Sequence, residues 1–247
     1  MKSQNGLKRL GFRRRLIHYF LLNLARLIFA PVPLKVYGKE NIPPERVGTL
    51  FVSNHLSHID SVITAVAAFP VKRAIRFAGA KDFMEKLYFK WTKYELAFPV
   101  GRGKGEREKF IQTAVTILKD GGSVGIYPEG RRSRSGRFES AKIGAGWIAK
   151  LAGPKMKVVP VYVNGTNHLL PIGNVPRLNI RQPLKVYFGP PLDLSSYYTL
   201  PDSAETSKMI LGEMIRGIHR QEQLYKQKEA RSMKKSHKGN FGRKIPT

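Results

Sequence analysis

Short apolar runs alternate with runs of helical period along most of this chain. GTLFVSN (48–54) has the continuous apolar character of a buried strand, and SVITAVAAF (61–69) predicts a helix directly after it. AIRFAGA (74–80) is compatible with strand or loop, and DFMEKLYFKW (82–91) with a short amphipathic helix. GEREKFIQTAVTILKDGG (105–122) predicts a helix: Glu106 and Glu108 fall in its first turn, Phe110, Ala114, Ile117 and Leu118 share a face, and Gly121 is placed to cap its end. SVGIYPEG (123–130) follows as a strand ending at Pro128, then a glycine-bearing helix over 141–153, strands over 157–166 and 183–191, and a mostly polar helix over 203–225. This alternation predicts an α/β domain with a mixed central sheet flanked by helices.

The first segment differs. LIHYFLLNLARLIFA (16–30) puts Leu16, Tyr19, Phe20, Leu21, Leu24, Leu27 and Ile28 over most of a helical wheel, with Arg15, His18, Asn23 and Arg26 on one stripe. Fifteen helical residues rise about 22 Å, short of a hydrocarbon core of about 30 Å. Asn23 and Arg26 interrupt the apolar run, and no small-residue cleavage site follows, so the segment is not a clean signal peptide. A broad apolar arc with a basic stripe predicts a membrane-interface helix; a core helix of a soluble domain is the rival reading. The expected organisation is a basic N-terminus and anchoring helix over 1–33, one α/β domain over 34–225, and a basic, disordered tail over 226–247.

Charge supports an anionic partner. The chain of 247 residues carries 44 Lys and Arg against 17 Asp and Glu, a net charge of +27. An excess of that size works against compactness through self-repulsion and points to nucleic acid, an anionic membrane, an acidic carrier protein or a phosphorylated substrate. There is no cysteine, which excludes disulfides, thiolate zinc sites and a cysteine nucleophile.

Three short elements carry candidate chemistry. SNHLSHID (53–60) lies between a strand and a helix, and a turn there lets Asp60 fold back onto one ring nitrogen of His55, leaving the other as a base. The same residues also fit a turn histidine beside a helix-capping Asp60, with helix from Ser61, or half of a metal site lacking a convincing third ligand. YPEGRRSRSG (127–136) places Glu129 among Arg131, Arg132 and Arg134, with Gly130 and Gly136 shaping the turn, which suits an anion site. FPVGRGKGE (98–106) sets Arg102 between glycines ahead of a helix N-terminus, without the spacing of a P-loop.

Together these elements resemble the glycerolipid acyltransferase family, of the bacterial lysophosphatidic acid acyltransferase type. The N-H-x-x-x-x-D motif is matched by Asn54, His55 and Asp60, and the second motif by Pro99, Val100 and Arg102. The E-G-T-R-S motif is matched by Glu129, Gly130, Arg132 and Ser133, with Arg131 in place of threonine, and the apolar–Pro–apolar strand by Val159, Pro160 and Val161. The resemblance covers about residues 34–192. It implies acyl transfer from an acyl-carrier-protein or coenzyme A thioester to a lysophospholipid hydroxyl, with no other cofactor and no metal. It implies His55 as general base and Asp60 as its orienting acid, with no covalent acyl-enzyme. Substrate binding is implied for Asn54, Arg102, Glu129, Gly130, Arg131, Arg132 and Ser133, with Arg102 and Arg132 taking the acceptor phosphate and Glu129 orienting those arginines or the glycerol, while His58 sits at a variable position of the motif. Lysophosphatidic acid is the expected acceptor, with other lysolipids or glycerol-3-phosphate behind it, and the cytoplasmic face of the cell membrane is the expected location.

Two rivals stand against an active enzyme. A basic nucleic-acid-binding protein suits the charge, but no helix-turn-helix signature or RNA-binding aromatic motif is present, and it leaves segment 16–30 unexplained, so no nucleic acid is expected as partner. A catalytically inert membrane-shaping relative is the other.

Overall fold

Seven strands order as β1-β7-β6-β2-β5-β3-β4 in the computed structural model, which describes residues 12–71, 73–80, 97–101, 103, 105–136, 138, 140–170 and 182–240. They are β1 (Leu34–Tyr37), β2 (Thr49–Ser53), β3 (Ile75–Ala80), β4 (Ala97–Val100), β5 (Ser123–Ile126), β6 (Lys157–Asn164) and β7 (Leu184–Phe188). All neighbours are parallel except β6 and β7, so the sheet is mixed, as expected. The helices are α1 (Phe12–Ile28), α2 (Asp60–Ala68), α3 (Glu106–Lys119), α4 (Gly144–Ala152), α5 (Thr166–Leu169), α6 (Ser195–Tyr198) and α7 (Ala204–Asn240). The helix expected over 82–91 lies outside the described residues, as do Arg102 and Lys104.

The sheet is buried on both faces, so its strands are nearly continuous in apolar residues, and their alternation decides which layer each side chain enters. Leu50 and Val52 of β2, with Val124, Ile126, Val158, Tyr162 and Tyr187, pack with α3, α4 and α7. Phe51, with Ile75, Phe77, Val159, Val161, Val163, Leu184, Val186 and Phe188, packs with α1 and α2. Helix α3 buries Ile111, Ala114, Val115, Ile117 and Leu118 and ends in a Schellman motif, in which Gly121 N–H reaches the Leu118 carbonyl at 3.0 Å and Gly122 N–H the Ile117 carbonyl at 2.8 Å. Gly146 of α4 lies directly against α7: a Cβ there would come within 1.9 Å of the Ser207 carbonyl oxygen.

Several element boundaries differ from the expectation. Strand β5 stops at Ile126, two residues short of the expected end at Pro128, because the chain turns ahead of the proline, with Gly130 N–H closing onto the Tyr127 carbonyl. The open segment 74–80 is strand. The final helix does not end at 225, and the stretch expected to be disordered is helical to Asn240. Its composition explains this: Lys, Gln, Glu, Ala, Arg and Met are good helix formers, and past 225 no glycine interrupts before Gly239. The extension is also tied to the sheet edge, where the Lys185 and Glu229 side chains pair at 2.6 Å and Lys228 Nζ lies 4.0 Å from the Tyr37 ring centre.

Helix α1 docks on α2 with an unexpected face. His18 and Leu22 turn inward and are fully covered, so His18 does not share an exposed stripe with Asn23 and Arg26. Leu16, Phe20, Leu24 and Leu27 point outward, Phe20 and Leu27 being 68% and 72% exposed. Tyr19 meets Phe69 edge-on, and the Arg26 guanidinium covers the same ring at 4.7 Å. No helix among the described residues is long and apolar enough to cross a membrane.

Candidate active site

The loops that follow β2, β5 and β6 meet beyond the carboxyl ends of these parallel strands, where open α/β sheets build their sites. The first loop holds His55 and the last residue before it, Asn54. Asn54 is buried and fixes the loop to β6: its amide nitrogen donates to the Val163 carbonyl at 2.9 Å, and its amide oxygen accepts from Val163 N–H at 2.8 Å. Both ends of the amide are thus engaged by the backbone, whereas the motif resemblance implies substrate binding for this residue.

Asp60 is fully buried at the start of α2. It does not cap the helix; Ile59 holds the N-cap position, and the carboxylate folds back onto the preceding loop. Its Oδ2 accepts from Leu56 N–H at 2.6 Å, Ser57 N–H at 2.8 Å and His55 Nδ1 at 2.9 Å. Its Oδ1 accepts from the Thr166 hydroxyl, supplied by the first residue of α5. A carboxylate only accepts, so the His55 proton sits on Nδ1 and the lone pair is left on Nε2. The His55 side chain is 17% exposed, so the ring is not sealed from solvent. His58, at a variable position of the motif, is exposed.

The β5 loop grips the peptide of His55 from both sides. Glu129, itself buried, accepts from His55 N–H at 3.0 Å, and Ser133 N–H donates to the His55 carbonyl at 2.8 Å. Gly130 makes the turn at φ +65°, where a side chain is strained, and a Cβ would also press on the Lys142 side chain at 2.8 Å. Arg131 and Arg134 are exposed and Arg132 is half-buried. Burial lowers the Arg132 guanidinium from its ordinary value, while the Asp60 carboxylate acts the other way, which places Arg132 within electrostatic reach of the histidine pair.

Two contacts have no counterpart in the motifs along the chain. Thr166 completes the Asp60 cluster from a segment 106 positions away. Tyr127 stacks on His55, ring centres 3.9 Å apart and planes 11° from parallel. Its position beside Pro128 and Glu129 was the available signal, but nothing in a tyrosine's identity announces a stack. Among the described residues no group of three or more His, Cys, Asp or Glu is placed to hold a metal ion.

The arrangement defines an α/β protein with an oriented histidine and an arginine-bearing loop at the carboxyl ends of its parallel strands. The chain belongs to the acyltransferase family: that family's model matches residues 33–164, more than half of its length. It is 28% identical over 170 residues to a chloroplastic 1-acyl-sn-glycerol-3-phosphate acyltransferase, LPAT1, of Arabidopsis thaliana, covering 67% of this chain and 46% of that one. A 1-acyl-sn-glycerol-3-phosphate acyltransferase of Bacillus subtilis (strain 168) is 28% identical over 177 residues, 71% of this chain and 82% of its own. The chain therefore spans about half the length of the chloroplast relative and most of the bacterial one. The crystal structure of the 1-acyl-sn-glycerophosphate (LPA) acyltransferase PlsC from Thermotoga maritima shares the fold, with a TM-score of 0.61 and 23% identity over 84% of this chain and 81% of that one.

Proposed function

We propose that the protein moves a fatty acyl group from an acyl-carrier-protein or coenzyme A thioester to the sn-2 hydroxyl of lysophosphatidic acid, giving phosphatidic acid. The buried Asp60 carboxylate holding the His55 ring at 2.9 Å carries this reading. An alcohol attacks a thioester readily only when its proton is removed in step. Nε2 of His55 takes that proton as the hydroxyl oxygen bonds to the thioester carbon. Asp60 keeps the imidazole in the required tautomer and stabilises the imidazolium that forms. When the tetrahedral intermediate collapses, the carbon–sulfur bond breaks and the imidazolium returns its proton to the leaving thiolate. The acyl group passes directly between substrates, and no cofactor beyond the donor enters. Arg132, with Arg131 and Arg102, holds the acceptor phosphate, for which a guanidinium fork is suited. Glu129 acts on the base through the His55 peptide.

The substrates are amphiphiles, and the outward apolar face of α1 supports attachment to a lipid surface. We place the enzyme peripherally on the cytoplasmic face of the cell membrane, where basic residues of the N-terminus meet anionic headgroups. The excess of positive charge suits donors and acceptor alike, all of them anionic.

The test crosses acyl-carrier-protein and coenzyme A donors against lysophosphatidic acid and glycerol-3-phosphate with the full chain. Because the protein has no cysteine, a thiol reagent reads the released donor thiol without background from the enzyme. Transfer to lysophosphatidic acid that disappears in His55→Ala is the expected result. Transfer to glycerol-3-phosphate alone reassigns the acceptor, and no transfer from either donor overturns the enzymatic reading.

A further inference from the structure

We propose that Tyr127 is a positioning residue for His55, the front ring of an aromatic buttress that Phe77 and Gly125 complete; the inference rests on His55 acting as the base. Among the described residues the His55 ring makes one hydrogen bond, Nδ1 to Asp60, and a single bond leaves the ring free to swing about it. The Tyr127 ring removes that freedom by lying flat against the imidazole, centres 3.9 Å apart. Phe77 lies behind Tyr127, centres 5.9 Å apart and planes 18° from parallel. The space for Phe77 comes from a missing side chain: a Cβ on Gly125 would fall 2.3 Å from its ring. Gly125 and Phe77 are paired directly across β5 and β3, so the buttress is anchored in the sheet.

The ring face also has an electrostatic consequence. Burial, reinforced by the Asp60 carboxylate and opposed by Ser61, pushes the Tyr127 hydroxyl well above the usual phenol range, so the ring stays neutral at working pH. A neutral phenol presents an electron-rich face to the imidazole and attracts it most strongly when it becomes a cation. Tyr127 therefore favours the state of His55 that exists while the proton is in transit.

Turnover, KM and pH profile of Tyr127→Phe, Tyr127→Leu and Gly125→Ala test this, with a thermal midpoint recorded for each. Tyr127→Phe keeps the face and retains kcat within about twofold. Tyr127→Leu lowers kcat roughly tenfold with KM unchanged, and moves the acid limb of the kcat/KM profile down by about half a pH unit. Gly125→Ala, which displaces Phe77 without touching Tyr127, lowers kcat in the same direction and covers the case in which Tyr127→Leu does not fold. Wild-type kcat and profile in folded Tyr127→Leu, or in Gly125→Ala, overturn the buttress, as does an equal loss in Tyr127→Phe. His55→Ala separates the two readings: if it is inactive while Tyr127→Leu behaves as wild type, the buttress alone fails, and if it is active, the base assignment fails.

Discussion

Replacing Asp60 by Asn tests the proposed base without emptying the space around it. Alanine would strand three N–H donors and the Thr166 hydroxyl in a fully buried position, and unfolding would obscure the chemistry. Asparagine keeps the shape: its amide oxygen accepts from Leu56, Ser57 and His55, and its NH2 donates to the Thr166 oxygen. What it loses is the charge. Opposite unit charges 2.9 Å apart attract by about 6 kcal/mol at an effective dielectric of about 20. The His55 side chain is 17% exposed, so water screens part of this, leaving about 4 kcal/mol that acts only while the imidazolium exists. Folded Asp60→Asn is thus expected to lose about a thousandfold in kcat with little change in KM. Its stability should fall by about 1–2 kcal/mol as charge-assisted hydrogen bonds become neutral ones. Thiol release gives the rate and urea unfolding the stability. A folded variant within tenfold of wild-type turnover would refute the assignment of Asp60 to the imidazolium.

Arg73 is buried and donates to Ser123 Oγ at 2.6 Å, Thr49 Oγ1 at 2.7 Å, the Pro44 carbonyl at 2.6 Å and the Val47 carbonyl, so Arg73→Met strands several acceptors and should cost about 3 kcal/mol in urea unfolding. Its contacts with the first residues of β2 and β5 lie at the sheet end opposite the site, so kcat should stay unchanged at temperatures where the variant is folded. Phe20→Asp with Leu27→Asp should weaken binding to anionic vesicles more than a hundredfold, since each large side chain withdrawn from lipid forfeits about 2 kcal/mol; unchanged co-sedimentation would remove α1 from the membrane proposal. Burial holds the Tyr162 and Tyr198 hydroxyls up to about 12, while an unfolded phenol ionises near 10. Between those values the unfolded chain binds fewer protons, so stability falls as pH rises from 10 to 12, and Tyr162→Phe should flatten that fall in a pH series of urea midpoints.

Local pattern carried the strands and helices whose apolar residues all pack against the domain core. β2, α2 and α3 lie within a few residues of where the apolar pattern places them, although Asp60 does not cap α2, because apolar periodicity there records burial directly. It is less informative where one face meets something else. For α1, an apolar arc states that part of the helix avoids water, and cannot say which part meets the protein. The structure turns His18 inward and leaves Phe20 outward, because the fit against α2 decides the docked side. For α7, the apolar face fades beyond 225 while helix-forming composition continues. What holds the extension, Lys228 over Tyr37 and Lys185 with Glu229, depends on β1 and β7 being neighbours at one sheet edge.

The same distinction divides the site. His55 and Asp60 are five positions apart, and a turn between a strand and a helix suffices to bring them together, so their pairing was legible. Glu129, Thr166 and Val163 reach this loop from 74, 106 and 109 positions away, and their meeting requires β5 and β6 to flank β2 on either side. Spacing along the chain contains no statement of strand order. Moreover, Glu129 and Ser133 hold His55 by its peptide, and Val163 holds Asn54 by its own. A backbone N–H or carbonyl has the same chemistry in every residue, so a reading of residue identities assigns Glu129 to the charged partners it can see, the arginines beside it. The geometry adds a contact that residue identity does not announce, the His55 N–H that Glu129 accepts at 3.0 Å. On that account Glu129→Gln, which preserves the acceptor oxygen for His55 N–H, should be tolerated far better than Glu129→Ala, with the difference appearing in kcat; if both lose equally, the negative charge and not the grip on the peptide is what the site requires.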